Sequence, residues 1–163
     1  MGLNPEGEGI NVAIAAWPWP AYIGETAKVC TSKYLRIHPK SLNANKKICG
    51  HYVNSILASQ EAKEKGFDEA ILLDYQGYVA EGPGENIFMV KKKTLVTPPK
   101  TNKILPGITR DSLVKIAKDL GYSVSEQEIR PEELLFADEL FFTGTAAEVI
   151  SIIQLDEQNF SKG

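Results

Sequence analysis

An α+β fold is predicted by three features: a cluster of short apolar runs broken by turn residues between positions 69 and 97, two stretches with helical apolar spacing, and the absence of any internal repeat. The 163 residues, 43% hydrophobic and 24% charged, suffice for one ordinary domain or one large piece of a bigger protein, and argue against two independent cores. A single unit over 1–163 is therefore expected.

After a Gly/Pro/Glu-rich opening, INVAIAAWPWPAY (10–22) is expected to form a strand ended or bent by Pro18 and Pro20. TSKYLRIHPKSLNANKK (31–47) reads as short extended pieces and turn formers. A helix is expected after Gly50, with an apolar stripe of Tyr52, Val53, Ile56 and Leu57 and a stop at Gly66. Ala70–Leu73, Tyr78–Ala80, Ile87–Val90 and Thr94–Thr97 read as strands, and the KKK of 91–93 as a solvated hairpin end. Because these strands are short and adjacent, an antiparallel meander is expected in preference to repeated parallel crossovers. ILPGITRDSLVKIAKDLG (104–121) repeats Leu113, Ile116, Ala117 and Leu120 on one face and offers Thr109 as a cap. A strand around Tyr122–Ile129, a short helix opened by Pro131, the strand ELFFTG (139–144) and a last strand in EVISIIQL (148–155) complete the order.

A net charge of -3 and a pI near 5.5 give no general attraction to a phosphate backbone or an anionic membrane, so neither partner is expected. Cys30 and Cys49 have neither the number nor the spacing of a disulfide framework or thiolate zinc site, and two histidines make no metal cluster. No run is long enough to span a membrane, and the opening lacks the pattern of a signal peptide. A cytoplasmic location is expected.

Five places carry candidate chemistry. Lys47 is followed by ICG with no further charge before the helix, so its ammonium is expected to be partly desolvated; a neutral amine attacks an aldehyde to form a Schiff base. Spacing alone does not separate Lys46 from Lys47. Glu81, in YVAEGPGEN, is either a turn acid or a buried carboxylate that keeps a nitrogen heterocycle protonated, with Glu85 and Asn86 divided between the same cleft and the strand. LPGIT enters a helix, where the N–H groups of Ile108 and Thr109 and the Thr109 hydroxyl suit a phosphate, and TGTA (143–146) offers a second set of donors. Tyr52 is either a packed aromatic or a phenol facing a cofactor ring; Trp17 and Trp19 read as core or interface aromatics.

KICGHYVNSILASQEAKEKGFDEAILLD, GYVAEGPGENIFMV, ILPGITRD and LFADELFFTGTAAEV, in this order, resemble the large domain of branched-chain amino acid aminotransferases, the fold-type IV pyridoxal-phosphate enzymes. The resemblance implies mixed and antiparallel sheets forming a pseudo-barrel with flanking helices. It implies pyridoxal 5'-phosphate as cofactor, with Lys47 as the Schiff-base lysine and proton shuttle. Tyr52 then contacts the phenolic oxygen and Glu81 the pyridine nitrogen. Leu105, Ile108 and Thr109 match the phosphate loop, with Thr145 as a further phosphate contact, while Thr145 and Ala146 match the turn that holds the substrate carboxylate. Arg110 fits the motif as a structural residue. His51 stands where many relatives have Asn, and Cys49 where many have Gly.

The implied reaction is transfer of the amino group of L-Leu, L-Ile or L-Val to 2-oxoglutarate, in a homodimer or larger homo-oligomer. D-amino acid transamination and aminodeoxychorismate lyase activity are alternatives on the same scaffold, and a non-catalytic binding or assembly module is a third. Family members also carry a smaller N-terminal domain and final elements that this chain is expected to lack, so the chain by itself is expected not to turn over.

Overall fold

Ten residues, Thr26–Leu35, form β1, an inner strand of the sheet. In the computed structural model, which describes residues 7, 9–19, 24–101 and 103–162, β1 pairs in parallel with β2 (Glu69–Leu73) on one side and β8 (Glu148–Leu155) on the other. With β3 (Val79–Glu81), β4 (Asn86–Lys91), β5 (Thr94–Thr97), β6 (Ser123–Glu126) and β7 (Glu139–Gly144), the sheet runs β3-β2-β1-β8-β7-β4-β5-β6, and β9 (Gln158–Asn159) pairs with β8. Three helices accompany it: α1 (Tyr52–Glu64), preceded by a 3-10 turn at Cys49–His51, α2 (Ile108–Asp119) and the short α3 (Pro131–Leu134).

The meander is only part of the topology. The β2–β3 and β4–β5 neighbours are antiparallel as expected, and Lys92 and Lys93 make the β4–β5 turn with φ of 49° and 65°, the left-handed pair that a tight hairpin uses. However, β1–β2 and β5–β6 are parallel, each pair joined through a helix, α1 and α2 respectively. A parallel pair needs such a crossover because the chain must return to its starting end.

Four residues, 82–85, connect β3 to β4, although the two strands lie five places apart in the sheet. Laid flat, five strand spacings would measure about 24 Å, while five residue steps reach at most about 18 Å. The sheet therefore curls into a half-barrel that brings β3 back to β4, closed by the Gly82 N–H donating to the Glu85 carbonyl at 2.8 Å. Ala27, Val29, Ile71, Ile87, Met89, Phe142 and Ile152 fill the main core, while Ala70, Leu72 and Cys30 meet Ala58 and Ala62 of α1 in a second one. The period-2 alternation of Ala70, Ile71 and Leu72 between the two cores explains why β2 reads as one apolar run.

Four expectations fail for physical reasons. Residues 10–19 form no strand: Ile10, Val12 and Ile14 are exposed, and among the described residues no strand pairs with them; Pro20, Ala21 and Tyr22 lie outside the described set. The stripe of Val53, Ile56 and Leu57 faces outward, while Ser55, Ala58, Glu61 and Ala62 pack inward. Small residues allow close approach to the sheet, and buried Glu61 anchors the helix by accepting from Ser32 Oγ at 2.6 Å, the Lys33 N–H at 3.0 Å and Lys65 Nζ at 2.7 Å. Thr109 does not cap α2; Gly107 holds that position and Thr109 is the second helical residue. Of the expected α2 stripe only Ala117 is buried, with Leu113 half-buried and Ile116 and Leu120 exposed, because the helix packs through Arg110 and Ala117.

Arg110 is structural, as read from the sequence. It is fully buried, donating from Nη2 to the Pro98 carbonyl (2.8 Å) and to Glu126 (2.7 Å), and so ties α2 to β6. Arg110→Ala is expected to cost roughly 3–5 kcal/mol, because it strips buried acceptors of their donor. The midpoint of urea unfolding measures this.

Candidate active site

The curl leaves an open cleft of about 240 Å³ between the start of α1 and the start of α2, floored by the loop 82–85. Lys47, Tyr52, Glu81, Leu105, Ile108, Thr109 and Thr145 all line it. Ala146 lies on an adjoining depression shared with Trp19, Lys47, Tyr52 and Thr145. Positions separated by up to 98 residues in sequence, Lys47 and Thr145, thus share one wall system.

Glu81 ends β3 and is buried at 4% exposure. Its Oε1 accepts from Arg36 Nε at 2.6 Å, its Oε2 from Asn86 Nδ2 at 2.9 Å, and the Leu105 N–H is shared between both oxygens at 3.1 and 3.0 Å. Burial pushes this carboxyl up to about 7, while Arg36 and the Leu105 N–H pull it back. Three donors leave one of the roughly four acceptor positions of a carboxylate open.

Asn86 also donates to the Leu105 carbonyl at 2.9 Å, so one side chain joins β4, the acid and the loop leading into α2. Gly107 must be glycine at this approach: a Cβ there would collide with Asn86 Oδ1. α2 begins at the next residue, and the N–H groups of its first turn point out of the helix with the positive end of its dipole.

Lys47 is exposed, which corrects the expected desolvation: Ile48, Cys49 and Gly50 beside it are exposed as well and exclude no water. Trp17 and Trp19 are also largely exposed, with ring centroids 6.0 Å apart, and are not core residues of this chain. Arg36 is the main residue that sequence reasoning missed. It lies 45 positions from Glu81, outside any local periodicity that would pair them.

Glu85 is almost fully buried on the same loop. Its Oε2 accepts from the Gly84 N–H at 3.0 Å. Burial, then repulsion from Glu69 and Glu81, pushes its carboxyl up to about 8, against the pull of the Gly84 N–H. The folded state therefore holds a proton that the unfolded chain gives up near 4.5, and stability contributed by this group falls as pH rises through that window. Glu85→Gln is expected to stabilise the chain increasingly from pH 5 to pH 8, by up to ~1.4 kcal/mol per pH unit, and to change little below pH 4. Thermal midpoints across pH, compared with the unsubstituted chain, check this.

The buried side-chain atoms without a hydrogen-bond partner among the described residues include Arg36 Nη1, both ring nitrogens of His51, Glu85 Oε1 and Thr143 Oγ1, all from cleft-lining residues. Buried polar groups are normally satisfied. Their concentration here, beside a buried acid and a helix N-terminus, makes the cleft a place that a polar ligand would complete.

Comparison with known proteins gives the same picture. The Escherichia coli K12 branched-chain-amino-acid aminotransferase is 43% identical across 100% of this chain, which covers 55% of that protein. The crystal structure of the branched-chain aminotransferase of Thermoproteus uzoniensis with norvaline superimposes with a TM-score of 0.89 at 44% identity, covering 91% of this chain and 50% of that one. That of Thermobaculum terrenum, in its PLP holo form, gives 0.81 at 39% identity over 82% of this chain and 44% of that one. This chain thus spans about half the length of these relatives. The family pattern of amino-transferase class IV matches residues 2–155. With nearly its whole length matched and its sheet curled in the same way, the chain belongs to the class IV aminotransferases.

Proposed function

We propose that the chain is the cofactor-binding part of a branched-chain amino acid aminotransferase that takes pyridoxal 5'-phosphate. The observation that supports this best is the shared cleft of Lys47 and Glu81, with the N-terminus of α2 as a further wall. The unpartnered atoms of Arg36, His51, Glu85 and Thr143 fit the cofactor's polar periphery.

When bound, pyridoxal phosphate supplies an aldehyde for the amino group and a ring that accepts the electrons left when the α proton departs. Ile108 and Thr109 bind its phosphate through first-turn N–H groups and the Thr109 hydroxyl, next to Leu105, with Thr145 as a further contact. Glu81 uses its open lone pair on the ring nitrogen, and Arg36, Asn86 and the Leu105 N–H fix its orientation. A ring N–H there is one more donor favouring the charged carboxylate. Tyr52 donates to the ring oxygen. Lys47 is the amine that would hold the cofactor, and it moves the proton to and from the substrate α carbon. Thr145 and Ala146 orient the substrate carboxylate.

The substrates in this reading are L-Leu, L-Ile or L-Val and 2-oxoglutarate. Because Lys47 is exposed, turnover belongs to a protein in which further chain or a second subunit covers the cleft and excludes water. Among the described residues no helix is long and apolar enough to cross a membrane.

The test is to add pyridoxal phosphate to the chain, follow the absorbance near the visible edge, reduce with borohydride and map the labelled peptide. Label on Lys47 supports the reading. Label on Lys46 displaces the register, and absence of binding leaves the inert-module alternative.

A further inference from the structure

His51 is 5% exposed, yet neither ring nitrogen has a hydrogen-bond partner among the described residues. It occupies the N-cap position of α1 without making a side-chain cap bond, so the imidazole is not used to finish the helix. His38, the other histidine of the chain, differs on both counts: its Nδ1 accepts from the Lys40 N–H at 3.1 Å and its ring packs on Tyr75 at 4.3 Å. An imidazole always presents at least one N–H donor, and burying it unsatisfied is costly. The side chain lines the cleft together with Tyr52 and Arg36, whose Nη1 is also unpartnered. A group held in the cleft can therefore satisfy His51.

The chemistry of that partner follows from the other walls. This step rests on the cofactor reading above. In pyridoxal phosphate the ring carbon that carries the aldehyde lies between the one bearing the phosphate arm and the one bearing the ring oxygen. With the arm directed to α2 and the ring nitrogen at Glu81, the ring oxygen turns away from α2. Arg36, which meets Glu81, and His51 and Tyr52 at the start of α1 line the same cleft. We propose that His51 is a binding residue for the ring oxygen of the cofactor, reaching it with a ring nitrogen directly or through one held water. It adds to Tyr52 at that edge and accounts for a buried imidazole whose ring nitrogens have no hydrogen-bond partner among the described residues.

The experiment uses the 163-residue chain and two ligands, pyridoxal phosphate and its analogue methylated on the ring oxygen. With only two histidines, ring 1H–15N correlations resolve both side chains. Saturation with pyridoxal phosphate is expected to move the His51 ring signals and leave those of His38 in place. In binding titrations, His51→Leu is expected to weaken pyridoxal phosphate about tenfold, the scale of one charge-assisted hydrogen bond, with His51→Asn in between. Affinity for the methylated analogue should change less than about twofold, a contrast that a purely structural role would not produce.

Equal losses for both ligands, or unmoved His51 signals in a saturated chain labelled at Lys47, would overturn the inference and leave the cofactor reading standing. If pyridoxal phosphate does not bind at all, both fall. Should His51→Leu not fold, the ring spectra of the unsubstituted chain and His51→Asn decide the matter.

Discussion

Lys47→Ala is expected to abolish borohydride-dependent attachment of pyridoxal phosphate, while Lys46→Ala retains it. The two lysines are adjacent in sequence and both line the cleft, so composition and local charge are nearly the same for each. In the proposed function, what separates them is which amine reaches the aldehyde when the phosphate is held at α2 and the ring nitrogen at Glu81. In a protein that carries this chain at the length of its relatives, losing the group that moves the α proton should lower the transamination rate by at least roughly 10²–10⁴. Lys47→Arg should do the same, since a guanidinium keeps the charge but does not give up a proton. Rates and mass of the labelled peptide, measured on the same preparations, check both halves. A Lys47→Ala protein that still incorporates one equivalent of cofactor would refute the assignment.

The second large effect concerns Arg36 and Glu81. Both side chains are over nine-tenths buried and meet at 2.6 Å. Removing one member of a buried pair leaves the other charge without its partner, at a cost of roughly 3–5 kcal/mol. Glu81→Ala is expected to lie at the upper end, because it strands the guanidinium and also leaves the Leu105 N–H and Asn86 amide without their acceptor. Arg36→Met should cost less, since those two donors still reach Glu81. The double replacement Arg36→Met/Glu81→Ala should cost less than the sum of the two single ones, because the guanidinium that Glu81→Ala would strand is gone. Urea unfolding of the four proteins gives the coupling directly; additive costs would show that the pair acts independently.

The extents of both long helices were legible from their punctuation, while apolar periodicity did not mark their buried faces: Ile56 of α1, Ile116 of α2 and Leu120 at its C-cap are exposed. Gly66 and Gly121 follow α1 and α2 with φ of 83°, a left-handed stop that glycine adopts without strain. The apolar runs of β2, β4, β7 and β8 were equally clear, since each is buried by neighbours on the sheet. β1 was not legible: Lys28, Thr31 and Lys33 interrupt its apolar residues, and its burial comes from partners about 40 and 125 residues away. The inward face of α1 was misread for a related reason. Alanines and a buried glutamate pack closely against the strands, whereas the larger apolar residues stay outside.

At the site, the chemistry-bearing residues were recognisable one by one, and their common cleft came from the order of the blocks. The network around Glu81 was not recognisable, because Arg36, Asn86 and Leu105 approach it from β1, β4 and the α2 loop. The exposure of Lys47 was hidden as well. Local apolar neighbours suggest burial, but the cover has to come from elsewhere in space.

The most direct test of the central claim is a crystal structure of the chain grown or soaked with pyridoxal phosphate. The account predicts continuous density from Lys47 Nζ to the cofactor, its ring nitrogen within hydrogen-bond distance of Glu81, and its phosphate on the N-terminus of α2. A cofactor seated in this cleft with its ring nitrogen turned away from Glu81, or bound through another lysine, would contradict it.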